Sequence, residues 1–170
     1  MHPMMLEQAA MYTAYHRDHR NVLTHVFGVP AIIIAIILAL HRVDLGGVMP
    51  GLTLGWIVAI GFALFYIAMQ PLAGALLAAL LLIATWLCAG AAHWSNGAFW
   101  SLVALFFVGG WIVQLIGHAF EGRRPALTDN ALQIFVAPLF LVLEAFFAAG
   151  QMQELRETIE NRSHAYDPAG

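Results

Sequence analysis

The sequence predicts an all-α fold: a polytopic helical membrane protein with four to five transmembrane helices and a short N-terminal interfacial helix. Three observations predict it. Hydrophobic residues make up 61% of the chain and charged ones 10%, with a mean hydropathy of +0.78, where a soluble domain carries about a quarter charged residues. The apolar residues fall into stretches close to the ~20 residues that cross ~30 Å of hydrocarbon. Ionisable residues stand instead at the margins of those stretches, among them two histidine-bearing segments, 12–30 (YTAYHRDHRNVLTHVFGVP) and 114–130 (QLIGHAFEGRRPALTDN).

The elements follow in order. Residues 1–19 form a short interfacial helix, because Met4, Met5, Leu6, Ala9 and Tyr12 can share one side. The first span is 22–40, with Thr24 and His25 at its polar end, Asn21 placed to cap it, and Pro30 kinking it one turn below His25. Segments 48–69 and 71–92 are separated by little more than Gln70 and Pro71 and read as a tight helical hairpin. The fourth, 98–117, is entered through the turn His93-Trp94-Ser95-Asn96-Gly97. The fifth, 131–150, carries Pro138 and Glu144, and is either a kinked span or a re-entrant or interfacial helix. The tail from Gln151 is polar with one amphipathic helical stretch. The five tryptophans are bundle packing and interfacial belt. A chain of 170 residues leaves room for one integral-membrane domain, 1–170.

Composition excludes several function classes. All seven basic residues are arginine and the net charge is −3, so no nucleic-acid footprint exists. Cys88, the single cysteine, sits in an apolar run and reads as a buried, inert thiol. The N-terminus lacks the basic n-region of a cleaved signal peptide. Four spans bring the N-terminal segment and the loop at 121–130 to one side, with Arg17, Arg20, Arg123 and Arg124; Arg42 lies on the other. If the fifth segment does not cross, Arg156 and Arg162 join the majority, six against one. If it crosses, the split is four against three. The positive-inside bias favours the version that does not cross, with the site at the cytoplasmic face.

The same topology sorts the histidines. His16, His19, His25 and His118 share the arginine-rich face, whereas His41 and His93 lie a membrane thickness away. Gln114, His118 and Glu121 are spaced i, i+4 and i+7 and line one helix face. His16 and His25 are nine residues apart, on opposite sides of a continuous helix, so they converge only if the chain bends near 18–20. Neutral imidazoles and carboxylates bind Fe(II), Zn(II) and similar ions, but no HExxH, paired CxxC or desaturase-type histidine box names the metal. The plain reading is that each histidine satisfies a carbonyl at the membrane interface. Arg123 and Arg124 either anchor on lipid phosphates or hold a carboxylate bidentately. Glu144 is read as a partner for an interfacial arginine in preference to a carboxylate behind a ligating histidine.

Tyr15-His16, Asn21-x-x-x-His25 with Pro30, Gln114-x-x-Gly117-His118 and 121–130 (EGRRPALTDN), in that order, resemble the 2-hydroxy fatty acid dioxygenase family of small multi-pass membrane proteins. The resemblance covers nearly the whole chain. It implies an Fe(II)-dependent dioxygenase of fatty-acid α-oxidation, shortening a long-chain 2-hydroxy acid by one carbon with O₂. It carries over His16, His25 and His118 as motif histidines that hold the metal, with His19 as an additional candidate. Glu121 would be a fourth ligand or an acceptor behind one. Arg123 or Arg124 would neutralise the substrate carboxylate, with Tyr15, Asn21 and Gln114 as hydrogen-bonding candidates, and the acyl tail would enter sideways from membrane lipid. An arginine-only, alanine- and glycine-rich chain suggests a bacterial inner membrane, or endoplasmic reticulum if eukaryotic. The rival readings are a haem protein with His25 and His118 as axial ligands, a small transporter, and a non-catalytic membrane protein.

Overall fold

A computed structural model of the chain describes residues 1–122 and 131–166. Seven α-helices carry the described part: α1 (Pro3–Tyr15), α2 (His19–His41), α3 (Leu54–Met69), α4 (Pro71–Ala89), α5 (Asn96–Glu121), α6 (Gln133–Ala148) and α7 (Gln153–Ser163). A 3₁₀ turn, Gly90–His93, follows α4, and an isolated bridge between Asp44 and Thr53 lies in the α2–α3 connection.

Three of these stretches are long and apolar enough to cross a membrane: His19–His41, Pro71–His93 and Asn96–Glu121. The segment expected at 48–69 is shorter. Residues 48–52 fold as turns and Thr53 stands before the first helical residue, so α3 has 16 residues, or ~24 Å at 1.5 Å per residue. It still runs between both ends of the bundle: Gly55 abuts His41, and the Met69 carbonyl accepts the His2 amide. The hairpin of α3 and α4 turns on Gln70, whose side chain caps α4 by accepting the Ala73 amide at 2.6 Å, with Pro71 at the first helical position.

α2 and α5 pack antiparallel along their length. Between helices surrounded by lipid no water is released on contact, so close van der Waals approach carries association. Small residues provide it here. A Cβ on Gly28 would lie 2.9 Å from the Gly110 carbonyl, and one on Gly117 would lie 1.9 Å from Thr24 Oγ1. At the far end His41 is buried between Thr53 Oγ1 (2.7 Å) and the Thr85 carbonyl (3.0 Å), tying α2 to α3 and α4.

The remaining helices gather at the other end. α6 begins where Gln133 Nε2 donates to Gln8 of α1 and the Phe135 carbonyl accepts the Tyr66 hydroxyl. It ends where Met152 meets Gln70, in the α3–α4 turn. Both ends of α6 therefore sit at the same end of the bundle, and the helix does not recross it. α7 then packs on α1, with Arg162 paired to Glu7 and the Tyr166 hydroxyl donating to Glu7. Glu144, half-buried on α6, has Arg156 and Glu160 of α7 as charged neighbours. Met5, Ala9 and Tyr12 form the buried stripe of α1, whereas Met4 points outward.

A three-histidine candidate metal centre

α1 stops at Tyr15 and α2 starts at His19, so the expected bend exists, at residues 16–18. The sequence dictates it locally. The Asp18 side chain caps α2 by accepting the Arg20 amide at 2.9 Å, and pairs with the Arg20 guanidinium at 2.7 Å. Asp18, not Asn21, is thus the cap. The bend is fastened to α5 by Glu121. Its Oε1 accepts the Arg17 amide (3.1 Å), and its Oε2 accepts the Asp18 amide (2.9 Å) and Asn21 Nδ2 (3.2 Å).

That fastening brings three imidazoles from three elements together. His16 follows α1, His25 lies in the second turn of α2 and His118 in the last turn of α5. Their ring centroids are 4.7 Å (His16–His25), 5.2 Å (His16–His118) and 4.9 Å (His25–His118) apart. All three are buried, and one ligand atom from each lies within 4.8 Å of the others. His16 Nδ1 lies 2.9 Å from the Tyr12 carbonyl and His25 Nδ1 2.9 Å from the Asn21 carbonyl. A carbonyl only accepts, so each Nδ1 carries the proton and each Nε2 presents a lone pair. This is the outer hydrogen bond that fixes a ligating histidine. Burial, and then the neighbouring His25, push the His16 ring down to about 3, so it is neutral at ordinary pH, as a ligand must be.

His16 Nε2 and His118 Nδ1 are buried without a hydrogen-bond partner among the described residues. An unsatisfied buried polar atom costs ~1–3 kcal/mol, and a cation between the rings would remove that cost. The donor set fits a divalent first-row metal. His19 and His93 are exposed, and His41 is engaged at the opposite end; none belongs to the trio.

A cavity of ≈ 270 Å³ opens beside the trio. Tyr12, Gln114 and Gln133 line its polar end with the histidines, and Val29, Ile33, Ile37, Leu40, Val58 and Ala59 line its apolar length. Of the residues expected to meet substrate, Gln114 lines this cavity. Tyr15 and Asn21 do not; Asn21 is fully buried, its amide turned to Glu121. Glu121 itself faces the bend and stands outside the metal-ligand group. Arg123 and Arg124 lie outside the described residues. Sequence reasoning missed Tyr12 and Gln133. Tyr12 was legible as the residue one turn before His16 on the Met5–Ala9–Tyr12 stripe; Gln133 reaches the cavity only through the docking of α6.

The fold and site define a small α-helical protein of membrane character with a buried three-histidine centre at the polar mouth of an apolar cavity. The chain belongs to the Mpo1-like family: the family model "2-hydroxy-palmitic acid dioxygenase Mpo1-like" matches residues 4–149. It is similar to 2-hydroxy-palmitic acid dioxygenase MPO1 of Saccharomyces cerevisiae, 36% identical over 156 residues that cover 91% of this chain and 86% of the yeast protein. No solved structure matches.

Proposed function

We propose that this protein is an Fe(II)-dependent dioxygenase that shortens long-chain 2-hydroxy fatty acids by one carbon, an α-oxidation at the membrane interface. Family membership and the named activity of the yeast relative support the substrate class and the use of O₂. The observation that carries the metal reading is the convergence of three buried imidazoles, two of them oriented by backbone carbonyls so that their lone pairs are free.

His16, His25 and His118 hold the iron, which when bound supplies the redox chemistry that lets O₂ react with the substrate. Three protein ligands leave positions open for reactants. The 2-hydroxy carboxylate lies at the polar end of the cavity, beside Gln114, and its acyl tail lies along α2. From His25 to Leu40 that wall is 15 residues, or ~22 Å at 1.5 Å per residue. One leaflet of the hydrocarbon core is only ~15 Å deep, so the wall accommodates a lipid-length chain. The apolar lining keeps bulk water from the reacting head. Arg123 or Arg124, two and three positions after Glu121 in the sequence, neutralises the carboxylate. Glu121 works as a positioning residue, because its carboxylate oxygens are engaged by the bend.

The arginine-rich end, to which Arg162 is now joined through Glu7, is proposed to face the cytoplasm, of a bacterial inner membrane or, in a eukaryote, of the endoplasmic reticulum. The haem reading is disfavoured by the 4.9 Å edge-to-face contact of His25 and His118, which leaves no slot for a macrocycle between them.

The test is mass spectrometry of products from detergent-purified protein, loaded anaerobically with Fe(II) and then given air and 2-hydroxyhexadecanoic acid. The fifteen-carbon acid is expected only with iron and oxygen together. Its absence from folded, iron-loaded protein would sink the reading.

A further inference from the structure

Four residues that line the cavity each carry a buried polar atom without a hydrogen-bond partner among the described residues: Tyr12 Oη, His16 Nε2, His118 Nδ1 and Gln133 Oε1. The imidazole nitrogens are accounted for by a metal ion, and Gln133 Oε1 can only accept. The Tyr12 hydroxyl is left, and of the four it is the one that carries a proton to donate whether or not an ion is bound. Tyr66, the other tyrosine lining the cavity, behaves as buried tyrosines usually do and donates to the Phe135 carbonyl at 3.1 Å.

The Tyr12 ring is held by three aromatic neighbours. It stacks on His16 at 3.8 Å with 2° between the planes, tilts against Phe140 at 4.5 Å and meets the edge of His25 at 6.4 Å. The residue is 3% exposed. A fixed, desolvated donor beside a metal centre is costly until an acceptor arrives, and its bond to a charged acceptor is then among the stronger kinds.

We infer that Tyr12 is a substrate-binding residue whose hydroxyl donates a hydrogen bond to an oxygen of the 2-hydroxy carboxylate head. The inference rests on the function proposed above. It also supplies a means of selection. Hydrocarbon of any lipid could enter the apolar length of the cavity, but a tail without an acceptor leaves the Tyr12 hydroxyl unpaired. Sites built around a buried donor reject ligands that lack its partner.

The experiment is anaerobic binding of 2-hydroxyhexadecanoic acid to Fe(II)-loaded wild type and Tyr12→Phe, with metal content measured in both. Phenylalanine keeps the ring stacked on His16 and tilted against Phe140. Metal content is expected to be unchanged and Kd to rise roughly 10- to 100-fold, the effect of deleting a hydrogen bond to a charged group. Equal Kd values would overturn the assignment while leaving the proposed reaction intact. A variant that lost metal or failed to fold would overturn it too, showing the hydroxyl to be structural. No binding by the wild type would instead count against the proposed function itself.

Discussion

The Glu121 carboxylate, at the last residue of α5, accepts the Asp18 amide at 2.9 Å across 103 positions of chain. With the bonds from Arg17 and Asn21 it makes the α1–α2 bend and the end of α5 one unit, and the three histidines ride on that unit. Glutamine at 121 offers a single acceptor oxygen and places an amide NH₂ against a backbone donor. Glu121→Gln is expected to cost about 1–3 kcal/mol of stability and to weaken metal binding ~10-fold or more, as loss of groups behind ligands does. Chelator competition and a thermal melt measure the two effects; unaltered metal affinity would show that the clamp does not set the site.

On the proposed function the three histidines act as a set, so His16→Ala, His25→Ala and His118→Ala are each expected to reduce bound metal from about one per chain to near zero, and double variants to do no further harm. His41→Ala provides the contrast. It removes a bridge between Thr53 and the Thr85 carbonyl at the opposite end, so stability should fall while metal content holds. Elemental analysis of the four proteins separates these outcomes. Metal retained by any of the trio variants would remove that residue from the centre.

Gly117→Ala tests how closely α2 and α5 must approach at the site. The new Cβ would lie 1.9 Å from Thr24 Oγ1 and 2.5 Å from Asn21 Oδ1. Overpacking of this kind costs about 1–3 kcal/mol, and here it also pushes His118 away from His25. Gly109→Ala, with nothing within 4 Å, serves as the control and should be neutral or mildly stabilising through helix propensity. Similar melting temperatures for the two variants would contradict the packing described.

Ala59, 2% exposed, lines the apolar length of the cavity, as do Leu40 and Val58. Ala59→Phe is expected to fill that end and shift preference toward shorter 2-hydroxy acids, with kcat/KM for the sixteen-carbon acid falling about 10-fold or more against a ten-carbon acid; one missing methylene alone is worth ~1–3 kcal/mol in an apolar pocket. Competition between the two acids in one reaction gives the ratio directly. An unchanged ratio would mean the tail takes another path.

Much of this was legible in the order of residues. Apolar runs gave α2, α4 and α5, since a helix that satisfies its own backbone is the structure lipid permits. The parity of crossings sorted His16, His25 and His118 from His41 and His93. The family motifs named the same three imidazoles. Other features depend on contacts the chain makes with distant parts of itself. Glu121 shares a helix face with His118 in sequence, yet its carboxylate turns to the amides of Arg17 and Asp18, which lie ahead of the α2 hydrogen-bond ladder. Asn21 is absorbed by that same clamp, and Tyr15 is not among the residues that line the cavity, whereas Tyr12 is. α6 has the composition of a span but returns to the end where it started, held by Tyr66 and Gln70. Sequence alone therefore determined the membrane character, the helical class and which histidines share an end, through hydrophobicity and period. Tertiary structure alone decided which polar groups around them meet the cavity, because hydrogen-bond partners a hundred residues apart are chosen by packing and not by spacing.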